Sequence, residues 1–463
     1  MIILRLLALG LLIMTTSTGH SLEIACEGMG INGVSIKRLD SDSKTVDLQD
    51  QIAIFQAVIA DAQHVEYLYE WTLVSLDEPT TVFVYKNSKF IFKPKLTGKY
   101  DIILRVQNPS NDCGYHRMKF GVTSNAPFLG VTEVPVIGPE EFKQFDHLVA
   151  LNAQKLWQCG EGEGVVIAVI DSGVQYNHPH LRPNIWLNTM EIPGDNIDND
   201  NNGKIDDIHG WDFVHSDPFP LDDYGHGTYI AGLSASSVSG IARKAKILPL
   251  KIMDTFGSSF VTSAIEAIKY ATDLSVSNSV PMIINLSSSI AHDLLPVEYD
   301  KMFKQAVKYA QDRGVMIIAP SGNGGNDGMN GMDLDIYPEY PSCYPNDNII
   351  TVAATNLAGV MTGYSNYGQQ SVDVAAPGGT TGHSLMTTHF HPEVHLYRGV
   401  VGTSHAAPVV AGLAAVLWGQ NKSLTPYEIR QIIIDTSTTT AGLEKRVLSG
   451  GWINPLRACL SNQ

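Results

Sequence analysis

The run VVIAVIDSGV, residues 165–174, decides the fold class. Six consecutive apolar residues without polar alternation describe a strand covered on both faces, as in a parallel sheet. The run ends on Asp171, with Gly173 just beyond it. A carboxylate at the carboxyl end of a parallel strand stands at the mouth of the sheet, where ligand sites form. Similar runs recur at 246–253 (KILPLKIM), 281–287 (PMIINLS), 315–320 (VMIIAP) and 348–355 (NIITVAAT). Helix-like stretches lie at 261–271, 296–312, 404–419 and 425–436. Strands alternating with helices predict an α/β fold with a mostly parallel sheet over residues 146–463.

Upstream the pattern changes. Residues 22–125 carry short segments rich in aromatic and β-branched residues, such as VEYLYEWTLVS (65–75) and YDIILRVQ (100–107), separated by polar turns. They predict a small all-β sandwich domain. Residues 126–145 hold three prolines and no periodicity, and read as a linker. Residues 1–21 place Arg5 before a short apolar run and then small polar residues, the pattern of a secretory signal peptide. The expected location is therefore secreted or periplasmic, with no integral membrane segment after signal cleavage. Five cysteines show no metal-like pair spacing; export makes disulfides possible, and their pairing stays open. Cys26 and Cys113 are one possible pair. A net charge of −16 argues against nucleic acid or anionic lipid as partners.

Three segments together suggest nucleophilic catalysis. Asp171 ends the deciding strand; alone it reads as well as a turn cap. In GHGTYIAG (225–232) two glycines flank His226 at the start of a helix-like run. In GTSHAAPVVAG (402–412) Ser404 opens a helix of small residues; it would serve equally as a plain N-cap, although Pro408 inside the helix is odd for a purely structural one. A fourth segment, APSGNGG (319–325), offers Asn323, whose amide suits an oxyanion. Hydrolysis of a peptide needs a hydroxyl nucleophile, a base, a carboxylate to orient the base, and oxyanion donors.

The four segments, in the order Asp, His, Asn, Ser, resemble the subtilisin family of serine proteases over roughly residues 146–455. The resemblance implies a three-layer fold and an endopeptidase acting on protein or peptide substrates, expected as a monomer. It casts Ser404 as nucleophile, His226 as general base, Asp171 as its orienting carboxylate and Asn323 as oxyanion donor. It also implies that Ser287, Ser288 and Ser289 on one edge, and Gly257, Ser258 and Ser259 on the other, line an extended substrate. The upstream β segment is similar to PKD-like and Ig-like modules. Departures stand at Tyr229, where the family often has histidine, at His405, where it usually has methionine, and at Ser289 and Ser259, which replace glycines. A side chain at the last two positions would alter a substrate pocket.

The stretch DNIDNDNNGKIDDIHG (195–210) is dense in oxygen ligands around Gly203. Asp198, Asp200, Asn202, Lys204 and Asp206 are the expected set for a structural calcium ion. His209 stands where an EF-hand has its closing glutamate. His383, His389, His391 and His395 precede Ser404 without zinc-site spacing and read as a polar loop. An esterase would want a G-x-S-x-G elbow, which Ser404 lacks. A catalytically silent binding scaffold would be expected to lose one of the three residues.

Overall fold

Apolar residues on both faces of a strand demand cover on both faces, and the order of the strands shows where that cover lies. The computed structural model describes residues 143–462 except 193–196, 325–329 and 391–394; before residue 143 it describes only the backbone of nine strands. The chain divides into two compact units near residues 133–134.

The larger unit is built on a nine-stranded sheet among the described residues. Its strands are β1 (Val166–Asp171), β2 (Trp211–Asp212), β3 (Lys246–Lys251), β4 (Met282–Leu286), β5 (Met316–Pro320), β6 (Ile349–Thr355), β7 (Val374–Pro377), β8 (Thr438–Thr439) and β9 (Gly451–Trp452). They run in the order β2-β3-β1-β4-β5-β6-β7-β9-β8. Every pairing is parallel except the last, β8 with β9. The mostly parallel α/β expectation therefore holds. β1 lies between β3 and β4 and is buried along its whole length. Strands β2, β8 and β9 have two residues each, too short for any periodicity to reveal them.

The helices are α1 (Asp146–Ala150), α2 (Ala153–Leu156), α3 (His226–Ala235), α4 (Val261–Asn278), α5 (Val297–Asp312), α6 (Thr403–Gln420), α7 (Pro426–Asp435) and α8 (Pro455–Ser461). Val166, Ala168 and Ile170 of β1 share one core with Ala264, Ile268 and Leu274 of α4 and Phe303 and Val307 of α5. Side chains alternate along a strand, so Ile167 and Val169 face the opposite layer. There α6 lies across β1 and β4–β7, and α3 packs on α6. Helix α6 is apolar all round, as a helix enclosed on every side must be. α4 runs seven residues past the expected end at 271. Its polar tail is accommodated because Thr272 Oγ1 donates to Ile268 O at 2.7 Å and Ser275 Oγ to Val280 O at 2.8 Å.

A disulfide joins Cys159, just after α2, to Cys459 in α8 across 300 residues of sequence. Closing so long a loop restricts the unfolded chain and is worth about 2–5 kcal/mol. Cys343 is the one free cysteine among the described residues. In the smaller unit, strands Glu23–Ala25, Cys113–Thr123, Gly98–Gln107, Leu68–Ser75 and Val82–Tyr85 pair in that order, with Thr45–Asp47 beside Cys113–Thr123. Val34–Arg38, Ala53–Ile59 and Lys89–Phe92 form a second sheet. The signal segment, the linker up to residue 142, sandwich packing and a Cys26–Cys113 bridge all fall outside the described residues.

Candidate active site

Asp171 closes β1 and is fully buried. Its neighbours β3 and β4 continue into the two segments expected to line substrate, Gly257–Ser259 and Ser287–Ser289, so these fall on opposite sides of it. His226 is the first residue of α3, entered through Gly225 at φ 110°. His226 Nδ1 donates to Asp171 Oδ1 at 2.8 Å and lies 3.0 Å from Oδ2. That contact puts the proton of the neutral ring on Nδ1 and leaves Nε2 as the basic atom.

The close approach of α3 to β1 has two physical causes. Gly227 lets the helix touch the turn after Asp171: a Cβ there would lie 2.1 Å from Gly173 O. Asp222, buried beneath the turn, ties the segments together. Its Oδ1 accepts from Ser172 Oγ at 2.8 Å and Gly225 N at 2.6 Å, and its Oδ2 from Thr228 N at 2.9 Å and Thr228 Oγ1 at 2.5 Å. Beside it the buried Lys251 ammonium pairs with Asp223 and donates to Ser172 O at 2.9 Å.

Ser404 sits in the first turn of α6, where backbone N–H groups lack helical partners. Pro408 has no N–H to give to the Ser404 carbonyl four residues earlier. That carbonyl instead accepts from Ser287 Oγ at 3.0 Å, while Ser404 Oγ donates to Ser287 O at 3.3 Å rather than to His226 Nε2. The proline thus frees the acceptor that ties α6 to the segment after β4. The His405 ring lies 5.3 Å from that of His226, which places the imidazole over the first turn of α6. Asn323 Oδ1 accepts from Thr403 N and Thr403 Oγ1, both at 2.9 Å. This fixes the amide orientation and leaves Nδ2, on an exposed residue, as a donor for a ligand oxygen.

Burial alone would lower the His226 pKa; the field and hydrogen bond of Asp171 outweigh it and raise the pKa above 6.5. His405 goes the other way: burial and the adjacent His226 push it down to about 3, so it stays neutral beside the catalytic candidate. Tyr229 stacks on His389 at 6.3 Å, and Arg398 Nη1 donates to its hydroxyl at 3.2 Å. His383 pairs with Asp146, His395 lies 6.5 Å from His389 ring to ring, and His391 falls outside the described residues.

The acidic loop closes on itself. Asp198 Oδ1 accepts from Asn202 N at 3.0 Å and its Oδ2 from Gly203 N at 2.8 Å; Asp200 Oδ1 accepts from Asn202 N at 3.0 Å. Glu191 reaches in from before the loop, accepting from Asn199 N at 2.8 Å and Asp206 N at 2.9 Å. Among the His, Cys, Asp and Glu side chains of the described residues, only those of Glu191, Asp198 and Asp200 bring three potential ligand atoms within 4.8 Å of one another. Glu191 was missed in the sequence because it stands alone, seven residues upstream of Asp198. Lys204 can contribute only its carbonyl, since its ammonium lies over the Trp211 and Phe213 rings at 4.9 and 5.3 Å. Burial pushes the Glu191 carboxyl up, and Asp207 likewise. A divalent cation would relieve such crowded, desolvated carboxylates, so the donor set fits calcium.

A family model described as "Subtilase family" matches residues 162–451. Thermitase of Thermoactinomyces vulgaris is 32% identical over 298 residues, covering 63% of this chain and 88% of thermitase. Subtilisin-like protease 1 of Plasmodium berghei (strain Anka) is 29% identical over 327 residues, 66% of this chain and 51% of that protein. The chain thus spans about half of that longer relative. A thermophilic serine proteinase of Bacillus sp. (strain AK1) is 32% identical over 293 residues, 62% of this chain and 60% of that protein. The solved structure of a lanthipeptide protease superposes with a TM-score of 0.56 at 22% identity, covering 70% of this chain and 96% of its own, a likeness of fold.

Proposed function

The chain belongs to the subtilase family and is a subtilisin-like serine protease, and we propose that it is an exported endopeptidase acting through an acyl-enzyme on Ser404. His226 Nε2 takes the proton of Ser404 Oγ as the oxygen attacks the scissile carbonyl. Asp171 holds the ring and balances the imidazolium. The oxyanion receives hydrogen bonds from Asn323 Nδ2 and the Ser404 N–H. The imidazolium then protonates the leaving amine, and water, activated by the same Nε2, releases the acyl group. The observation that carries this reading is the 2.8 Å Asp171–His226 contact at the carboxyl end of β1, with Ser404 and Asn323 braced beside it by Ser287 and Thr403.

The purified mature protein is expected to cleave unfolded casein and to be labelled by a fluorophosphonate on Ser404, read by peptide mass spectrometry. A label on another serine would overturn the assignment. The pH profile is a second check. Only neutral His226 can accept the proton, and its pKa is raised. The acidic limb of kcat/KM is therefore expected above pH 6.5, falling about tenfold per unit below it. A limb centred well under 6.5 contradicts the Asp171 partnership.

Export is supported by the pattern of residues 1–21 and by the Cys159–Cys459 disulfide, since such bonds persist outside the reducing cytoplasm. Residues 22–125 are proposed as a separate β module on a 126–145 linker, and the enzyme as a monomer. Calcium held by Glu191, Asp198, Asp200, Asn202 and the Lys204 carbonyl, with Asp206 adjacent, would act structurally. At a hundredfold excess over Kd it would add about 3 kcal/mol of stability. EDTA is expected to lower Tm and added calcium to restore it; an unchanged melt would rule the site out.

A further inference from the structure

The segment that follows β4 does more than brace Ser404. After Ser287–Ser289 it runs into Ile290–Ala291, which pairs antiparallel with Glu339–Tyr340. This brings Glu339 back beneath the same segment, where Ser289 Oγ donates to Glu339 Oε2. Glu339 Oε1 accepts from Asn366 Nδ2 at 3.1 Å. Asn366 in turn is fully buried and donates its N–H to Gly322 O at 2.9 Å, so it also holds the turn that presents Asn323. A Cβ on Gly322 would lie 2.7 Å from Glu339 Oε2. The carboxylate thus touches both segments that carry the reaction centre: Ser287–Ser289, tied to Ser404, and Gly322–Asn323, carrying the oxyanion donor.

Two features suit this group to a ligand. It is half-buried, and burial pushes its carboxyl up. Its partners are a hydroxyl and an amide, both neutral, and among the described residues no cation pairs with it. A carboxylate offers about four acceptor positions, and two remain. A desolvated carboxylate without a cation is costly to keep, and is retained most simply where a ligand supplies the charge.

We propose that Glu339 is a specificity-determining residue that receives the cationic side chain of a lysine or arginine immediately before the scissile bond. On the proposed mechanism the scissile carbonyl would be held between Ser404 Oγ, tied to Ser287, and Asn323 Nδ2, so the side chain of the residue that carries it would enter between residues 287–289 and 322–323. Glu339 stands where those two segments meet. A long, flexible cation spans that distance and finds acceptors at its end, whereas an aromatic or aliphatic side chain would dehydrate the carboxylate without pairing it. Ser289 in place of glycine serves this arrangement, since its hydroxyl orients the carboxylate.

The inference rests on the endopeptidase reading and is tested separately from it. Peptides differing only at the residue before the scissile bond (Arg, Lys, Gln, Leu or Phe) are compared by kcat/KM with the wild-type protein. Arg and Lys are expected to exceed Leu and Phe by about tenfold or more. In Glu339→Gln the Arg/Leu ratio is expected to fall by about tenfold or more, an internal ratio insensitive to the fraction of folded enzyme. Equal rates across the wild-type panel, or a preference for Phe or Leu, would overturn the proposal while leaving the protease intact. Absence of both cleavage and fluorophosphonate labelling would instead bring down the endopeptidase reading, and this inference with it.

Discussion

Ser404→Ala is expected to lower kcat/KM by about a millionfold without disturbing the fold. The hydroxyl makes one weak contact, to Ser287 O at 3.3 Å, whereas the bracing bond from Ser287 Oγ goes to the Ser404 backbone carbonyl, which alanine keeps. Thr403, Asn323 and the first turn of α6 lose nothing. Chemistry, by contrast, loses its nucleophile. What remains is binding and oxyanion stabilisation, worth about 10³–10⁴ over water in comparable enzymes. Adding His226→Ala to Ser404→Ala should cost little more, because a base without its nucleophile has nothing to deprotonate. Kinetics on a chromogenic peptide, with melting curves alongside, check both statements. A Ser404→Ala protein retaining more than about a thousandth of wild-type activity would exclude Ser404 as nucleophile.

Gly227→Ala is expected to damage activity and stability together. The new methyl would lie 2.1 Å from Gly173 O and 3.1 Å from Asp171 Cβ. The first obstacle is a backbone carbonyl, which cannot swing aside, so α3 must move away from the end of β1. A shift of about 1 Å breaks the His226–Asp171 contact and is enough for a hundredfold loss in kcat/KM. It also strains the Gly227 N–Ser172 Oγ bond of 2.9 Å and the Asp222 network beneath it. Overpacking of this kind costs about 3 kcal/mol or more. Gly442→Ala is the control, since its Cβ would meet nothing within 4 Å. Activity of Gly227→Ala within threefold of wild type would show that the close approach does not govern the geometry.

The parts of this protein that were legible in the sequence are those whose physics is local. Unbroken apolar runs announce doubly covered strands, as at 165–170, and β1 is buried throughout. Glycines on either side of His226 announce a backbone that something must approach closely, and the obstacle is Gly173 O. The four short motifs are joined by their resemblance, in order and spacing, to the subtilisin family; in space Asp171 meets His226 at 2.8 Å and Asn323 meets Thr403, beside Ser404, at 2.9 Å. Elsewhere local signals were too weak. The helix-like pattern stops at 271, short of the tail of α4, because Thr272 and Ser275 are poor helix formers until they find carbonyl partners.

Other features depend on chain segments returning from far away, and no local pattern records them. Cys159 finds Cys459 across 300 residues. Glu191, an unremarkable glutamate in sequence, completes the acidic cluster because the loop folds back over it. Glu339 meets Ser289 because a two-residue strand pair places it there. Periodicity and glycine placement were enough to specify a parallel α/β protein, and the resemblance carried by its four motifs to single out the residues proposed to react. Which carboxylates stand near which groups, Glu339 beside Ser289 and Glu191 beside Asp198 and Asp200, is decided only by tertiary packing, because electrostatic environment is set by distance in space rather than by distance along the chain.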